Sequence, residues 1–416
     1  MKLAWLCNMT PGAVSRCRGT GGGGLWLDHV LDDLCTRQDI SVRLFCPGGT
    51  EEGQVDGKTS YVLFTEGAPQ DYRQQLEDLF YEQLQQFQPD VIHIWGTEYG
   101  HTLAMVNAAQ RLGWENRVAI SIQGLCSSCA RHYCEGIPEA VCHRYTLRDF
   151  LKRDNLLGQQ KQFVRRGELE RQALEKVGHV IGRTDFDRAV TGQINPHRRY
   201  HFCNETLREE FYQDVWRYSG CKKHRIFLSS ALFPFKGTHY LLEAMPLVLA
   251  EFPDAEIVVT GDSFFKSTLP EKLRQDYYHR YLARLADKND LGDRIHFLGA
   301  LSAQQMKQAF LDCNVFVLPS TIENSPNSLG EAMLLGVPCV AADVGGVSNM
   351  LHPGQGYVYQ STAPYMLAHY ITEVFRQQER AEEMGAQARL QAMETHNPEK
   401  NMRDLLEIYR VIAEER

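Results

Sequence analysis

Short apolar, β-rich runs alternate with amphipathic helical patterns along most of this chain, and that alternation limits the folds open to it more than any other feature. In the first half the runs are KLAWLC, SVRLFC, YVLF, VIHIWG, RVAISI, HVIGRT and RYHFCN; in the second they are RIFLSS, AEIVVTGD, RIHFLG, NVFVLPS and PCVAAD. Strands buried on both faces and joined by crossover helices give this pattern, so the chain is expected to be α/β with parallel sheets. Between the runs, Leu27, Val30, Leu31 and Leu34 fall on one helical face, and Leu76, Leu79, Phe80 and Leu84 on another. At 416 residues the chain is too long for one ordinary core. Two Rossmann-like domains are expected, residues 1–218 and 222–394, with the boundary in VWRYSGCKKH. The sequence turns helical from Pro364, and residues 395–416 are expected to pack back on the first domain.

Composition excludes several classes. Hydrophobic residues make up 43% and charged residues 23%, the balance of a soluble globular protein. A net charge of −8 argues against a general nucleic-acid binder. MKLAWLC lacks the basic n-region and long apolar stretch of a signal peptide, and no run reaches the roughly 18 apolar residues of a membrane span. A cytoplasmic protein is expected, with peripheral contact at the inner membrane face as an alternative. The basic stretch 144–166 reads as a solvated helix face rather than an acceptor- or membrane-contacting one. Cys126, Cys129, Cys134 and Cys142 include one C-x-x-C, half of a zinc site, but no second pair completes the spacing. They are read as ordinary thiols, and no metal is expected.

Gly19, Gly21 and Gly24 in RGTGGGG spell G-x-G-x-x-G, the letters of a dinucleotide-binding loop. That loop must follow the first strand at once, and an acidic residue must close the second strand. Here NMTPGAVSRCR intervenes, and SVRLFC runs into Pro47-Gly48-Gly49. Both requirements fail. The glycines are read instead as a ligand-approach loop opening a helix, with Gly22 and Gly23 at its centre.

The chemistry concentrates in NVFVLPSTIENSPNSLGEAMLLGVPCVAADVGG, where seven residues separate Glu323 from Glu331. A strand ending at Pro319-Ser320 leads through a polar loop into a helix. One carboxylate lies before the helix and the other inside it, so both can face a ligand over its N-terminus. The backbone amides from Asn324 to Leu329 suit a diphosphate, and carboxylates accept hydrogen bonds from sugar and ribose hydroxyls. Gly345-Gly346 follows the next strand at the same sheet edge.

The E-x7-E element with EAMLLGVPCVAADVGG, the ALFPFKG turn at 231–237, IHFLGALS at 295–302 and the helical C-terminus together resemble the retaining GT-B glycosyltransferases, in particular family 4. The resemblance implies two Rossmann-like domains facing across a cleft, with C-terminal helices crossing back. It implies that Glu331 holds the donor ribose and Glu323 the transferred sugar. Asn324, Ser325, Asn327 and Ser328 would bind near the distal phosphate, Lys236 would pair with the diphosphate, and Phe297 and Leu298 would line the base pocket. Gly22 and Gly23 would wall the donor–acceptor cleft. His93, Glu98, Gln123 and Arg183 are expected to contact acceptor or sugar. Two positions depart from the family: Ala231 stands where an arginine is usual, with Arg183 a candidate substitute, and Gln123 stands where many members have a histidine. The implied activity is metal-independent, retaining transfer of a hexose-type sugar from a nucleotide diphospho-sugar, a UDP-sugar by preference, to a hydroxyl of a glycan, glycolipid or other glycoconjugate. No cofactor is implied. The alternatives are a GT-B nucleotide-sugar epimerase and a non-catalytic nucleotide-sugar binding protein.

Overall fold

The computed structural model describes residues 1–20 and 26–415. The chain divides into two compact units. The first comprises residues 1–128, 163–208 and 395–416, and the second residues 129–162 and 209–394. Sequence pattern puts 129–162 in the first domain and the boundary at 215–223. The chain changes unit earlier, because that stretch is anchored in the second unit. Trp216 is buried, with its indole N–H on the Cys313 carbonyl at 2.7 Å and its backbone N–H on the Leu335 carbonyl at 2.7 Å.

The first unit holds an eight-stranded sheet of β1 (Lys2–Cys7), β2 (Ser41–Pro47), β3 (Glu52–Gln54), β4 (Thr59–Phe64), β5 (Val91–Trp95), β6 (Val118–Ser121), β7 (His179–Gly182) and β8 (Arg199–Phe202). Its order is β3-β4-β2-β1-β5-β6-β7-β8, parallel except for β3. The three-residue edge strand β3 has no apolar run to announce it. Residues between β1 and the glycine stretch form a helix, Gly12–Cys17, which is why the glycines stand far from the strand. Gly22 and Gly23 themselves lie outside the described residues.

One face of this sheet packs against the helix Trp26–Thr36, through Leu27, Val30, Leu31 and Leu34, and against the last helix, Pro398–Glu414. That last helix contributes Met402, Leu405, Leu406, Ile408, Tyr409 and Ile412 to the core of the first unit. The C-terminal segment therefore returns to the first unit because its apolar face completes that core.

The second unit holds a six-stranded parallel sheet of β9 (Arg225–Leu228), β10 (Glu256–Val259), β11 (Ile295–Phe297), β12 (Val315–Leu318), β13 (Cys339–Ala342) and β14 (Tyr357–Tyr359). The order is β11-β10-β9-β12-β13-β14. β14 is a three-residue edge strand in glycine- and glutamine-rich surroundings, without the continuous apolar run of its neighbours. No helix among the described residues is long and apolar enough to cross a membrane.

Candidate functional site

In the second unit the candidate residues gather at the carboxyl ends of adjacent parallel strands, where open α/β sheets bind ligands. After β9 the chain makes a tight turn, Pro234–Lys236, closed by Gly237 in the left-handed conformation (φ 70°). A side chain there would meet the Pro319 carbonyl oxygen at 1.8 Å, so only glycine lets this turn lie against the end of β12. The Thr321 backbone N–H donates to the Phe235 carbonyl at 2.8 Å and ties the two loops together.

The result places Lys236 Nζ 2.6 Å from Glu323 Oε1, which also accepts from Ser320 Oγ at 2.7 Å. Glu323 is 10% exposed, and a carboxylate that deep needs a cationic partner. Its backbone carbonyl is clamped beneath the turn after β13. Gly346 donates to it at 3.2 Å, and a Cβ on Gly345 (φ 53°) would lie 1.8 Å from the same oxygen. Three loops thus fix one carboxylate.

Glu323 leads into the helix Asn327–Leu335, whose N-terminal end favours an anion. Asn327 and Ser328 begin this helix, half-buried. Asn324 is buried before it, and Ser325 Oγ donates to Met350 Sδ at 3.4 Å. Glu331 lies in the second turn, 5% exposed. At the end of β11, Phe297 is held edge-on by Phe264 (centroids 4.9 Å apart, 87°) and Phe265 (6.0 Å, 86°), while Leu298 is exposed.

In the first unit the structure sorts the expected contact residues differently. His93 is fully buried on β5, with Nδ1 2.6 Å from Tyr409 Oη and Nε2 2.7 Å from Ser121 Oγ. Burial pushes its pKa down to about 3, so the ring is neutral and latches the last helix to the sheet. The sequence reading offered it to an acceptor or sugar; the structure commits both its nitrogens to the core.

Glu98 is half-buried. Oε2 accepts from Asn8 Nδ2 at 3.0 Å and Oε1 from the Gly124 backbone N–H at 2.9 Å, while Asn8 Oδ1 lies 2.8 Å from His101 Nε2. Desolvation, helped by the nearby Glu170 carboxylate, pushes the Glu98 pKa up to about 7. A carboxyl that titrates near neutrality can accept or donate a proton to a hydroxylated ligand.

Arg183 pairs with Glu205 and donates to the Ile122 carbonyl at 3.2 Å; Gln123 Nε2 donates to the other Glu205 oxygen. Arg183 is thereby engaged within the first unit, which removes the expectation that it replaces the arginine missing at Ala231. These groups border a cavity of about 390 Å³ lined by Trp26, Trp95, Ile181, Arg183, Asn401 and Met402 among others. Trp95 Nε1, Arg183 Nε and Asn401 Oδ1 are buried there without hydrogen-bond partners. Glu205 and Asn401 are not singled out by sequence pattern, because they stand almost two hundred residues apart.

Among the described residues no group of three or more His, Cys, Asp or Glu side chains could hold a metal ion. Cys126 belongs to the first unit and Cys129, Cys134 and Cys142 to the second.

Residues 219–391 match the family model described as Glycosyl transferases group 1. A GDP-mannose-dependent monoacylated alpha-(1-6)-phosphatidylinositol monomannoside mannosyltransferase of Corynebacterium glutamicum is 30% identical over 171 residues, 39% of this chain and 41% of that protein. The chain thus aligns with under half of that relative's length. Among solved structures, sucrose-phosphate synthase from Thermosynechococcus elongatus superposes with a TM-score of 0.70 at 16% identity over the whole of both chains. HepE of Anabaena, solved in complex with UDP, gives 0.64 at 18% identity, covering 99% of this chain and 100% of that one. The fold is GT-B.

Proposed function

We propose that this protein is a glycosyltransferase that moves a sugar from a nucleotide diphospho-sugar to an acceptor hydroxyl. The observation that carries the proposal is the Lys236–Glu323 pair, held at 2.6 Å beside a helix N-terminus by two glycine turns. The donor diphosphate takes Lys236 and the backbone N–H groups of Ser325, Asn327 and Ser328, leaving Glu323 to accept from sugar hydroxyls. Glu331, on the same helix, accepts from the ribose. As the bond to the sugar breaks, negative charge grows on the diphosphate, and the lysine and helix amides are already oriented toward it. Transfer is proposed to be retaining and metal-independent, with the departing diphosphate taking the acceptor proton and no carboxylate forming a covalent intermediate. The sugar is proposed to be a hexose.

The acceptor is proposed to bind in the first unit, where the cavity beside Arg183 and the near-neutral carboxyl of Glu98 suit hydroxyl groups. Uridine is the proposed base, since HepE binds UDP; the Corynebacterium relative is named for GDP-mannose, so both bases belong in the test. A panel of UDP- and GDP-sugars is screened by melting temperature, because a ligand bound only by the folded state must stabilise it. One donor class is expected to raise it, and then to release nucleoside diphosphate when acceptor glycans are added. Release of an isomerised donor without acceptor would instead indicate an epimerase, and stabilisation without turnover a binding protein.

A further inference from the structure

In the segment 144–166 the basic side chains Arg144, Lys152, Arg153, Lys161 and Arg165 are exposed, as its composition suggests, but large apolar side chains are exposed among them. Its first helix, Leu147–Lys152, is turned inside out. The polar side of the helix faces the protein. Asp149 is buried, caps the helix by accepting from the Thr146 backbone N–H at 2.9 Å, and accepts at 2.9 Å from the backbone N–H of Tyr277. Arg148 bridges Asp149 and Asp154 at 2.9 and 2.7 Å. With Arg148 and Asp149 held inward, Leu147, Phe150 and Leu151 must point out; Phe150 is 65% and Leu151 72% exposed. Tyr145 is also exposed and lies with its ring 6.0 Å from that of Phe150.

The helix Leu269–Arg274 packs alongside, within the same unit, and adds Leu269, 71% exposed, and Leu273. Six large apolar side chains therefore share one exposed patch across two neighbouring helices, whereas exposed apolar side chains on soluble proteins are normally scattered singly. On the same segments stand Arg144, Lys152, Arg153, Lys272 and Arg274, all exposed, against one exposed carboxylate, Glu271, which caps its own helix, on a chain whose net charge is −8.

We infer that this patch, Tyr145, Leu147, Phe150, Leu151, Leu269 and Leu273 with its basic rim, docks the protein on an anionic lipid bilayer. Apolar side chains at the centre of a cationic ring fit a surface whose outer layer is negative and whose interior is hydrocarbon. A second copy of the chain fits poorly, because a two-fold contact through this patch would set the five cations against their own counterparts. The surplus negative charge on the rest of the chain turns the basic rim toward such a surface.

The test is sedimentation of the full chain with phosphatidylcholine vesicles made with and without phosphatidylglycerol. Binding is expected only to the anionic vesicles and should weaken as salt rises. Phe150→Glu with Leu151→Glu is expected to reduce the bound fraction about tenfold or more by removing the apolar anchor. Lys152→Glu and Arg153→Glu are each expected to weaken binding about fivefold or more. All four side chains are exposed, so circular dichroism and melting temperature should be unchanged and a folding defect would be visible. Wild-type protein that stays in the supernatant with anionic vesicles at low salt, or a doubly substituted protein that binds as well as wild type, would overturn the inference. A concentration-dependent dimer abolished by Phe150→Glu and Leu151→Glu, without vesicle binding, would reassign the patch to self-association.

Discussion

The two units carry polar sites of opposite construction. In the second unit, Lys236, Glu323 and the glycines beneath them sit on loops after strands that are neighbours in one sheet, and Glu323 and Glu331 belong to one strand–loop–helix element. In the first unit, Arg183, Glu205 and Asn401 reach one cavity from β7, from the stretch after β8 and from the last helix. One site is local in sequence, a lysine–carboxylate pair beside a helix N-terminus. The other is assembled from distant pieces and leaves buried polar atoms unsatisfied. On the proposed function, a donor site local in the sequence serves an acceptor site set by contacts remote in the chain.

The largest expected effect lies on the donor side. Glu323→Ala should lower transfer about a hundredfold or more if its contacts to the sugar strengthen in the transition state. Steady-state kinetics beside a donor-induced melting shift separates loss of turnover from loss of binding. Near-wild-type transfer would break the assignment of this unit to the chemistry.

A smaller but still large effect is expected in the first unit. Arg183→Ala leaves the buried Glu205 carboxylate without its cation, and breaking such a pair costs about 3 kcal/mol or more. Denaturant unfolding should show this, while the affinity for nucleotide sugar, read by calorimetry on the folded variant, stays unchanged. Loss of donor affinity would show that the two sites are not independent.

The smallest effect sharpens the role of Glu98. Its carboxyl has a pKa raised to about 7 in the folded protein, against 4.5 as the ordinary value. Between those values the native state holds the proton more tightly than the unfolded chain, so stability falls as pH rises through that window. Glu98→Gln removes the ionisation. It should stabilise the protein by up to about 3 kcal/mol above pH 7 and by progressively less toward pH 4.5. Melting curves across that range give the slope, and equal stabilisation at both ends would reject the shifted carboxyl.

Much of this was legible in the sequence. The long strands, the two parallel sheets and the Lys236 and Glu323 loops follow from apolar runs and glycine positions, because strand periodicity and tight turns are local properties. Lys236 and Glu323 could be nominated together from the resemblance, and their contact follows from adjacent strand ends. Edge strands β3 and β14 escaped, since three residues carry too little pattern.

What tertiary structure alone decided was which polar groups are spent on the fold. His93 reads as a candidate ligand residue, yet it becomes a latch because Tyr409, more than three hundred residues away, takes its ring nitrogen. Arg183 reads as a candidate for phosphate, yet Glu205 claims it. The helix Leu147–Lys152 reads as a basic surface segment, and only the burial of Asp149 turns its apolar side outward. Sequence pattern fixes which elements form, because hydrogen bonding and apolar periodicity act over a few residues. The fate of a lone charged or polar side chain depends on partners brought together by chain crossings, and a sequence period does not record those.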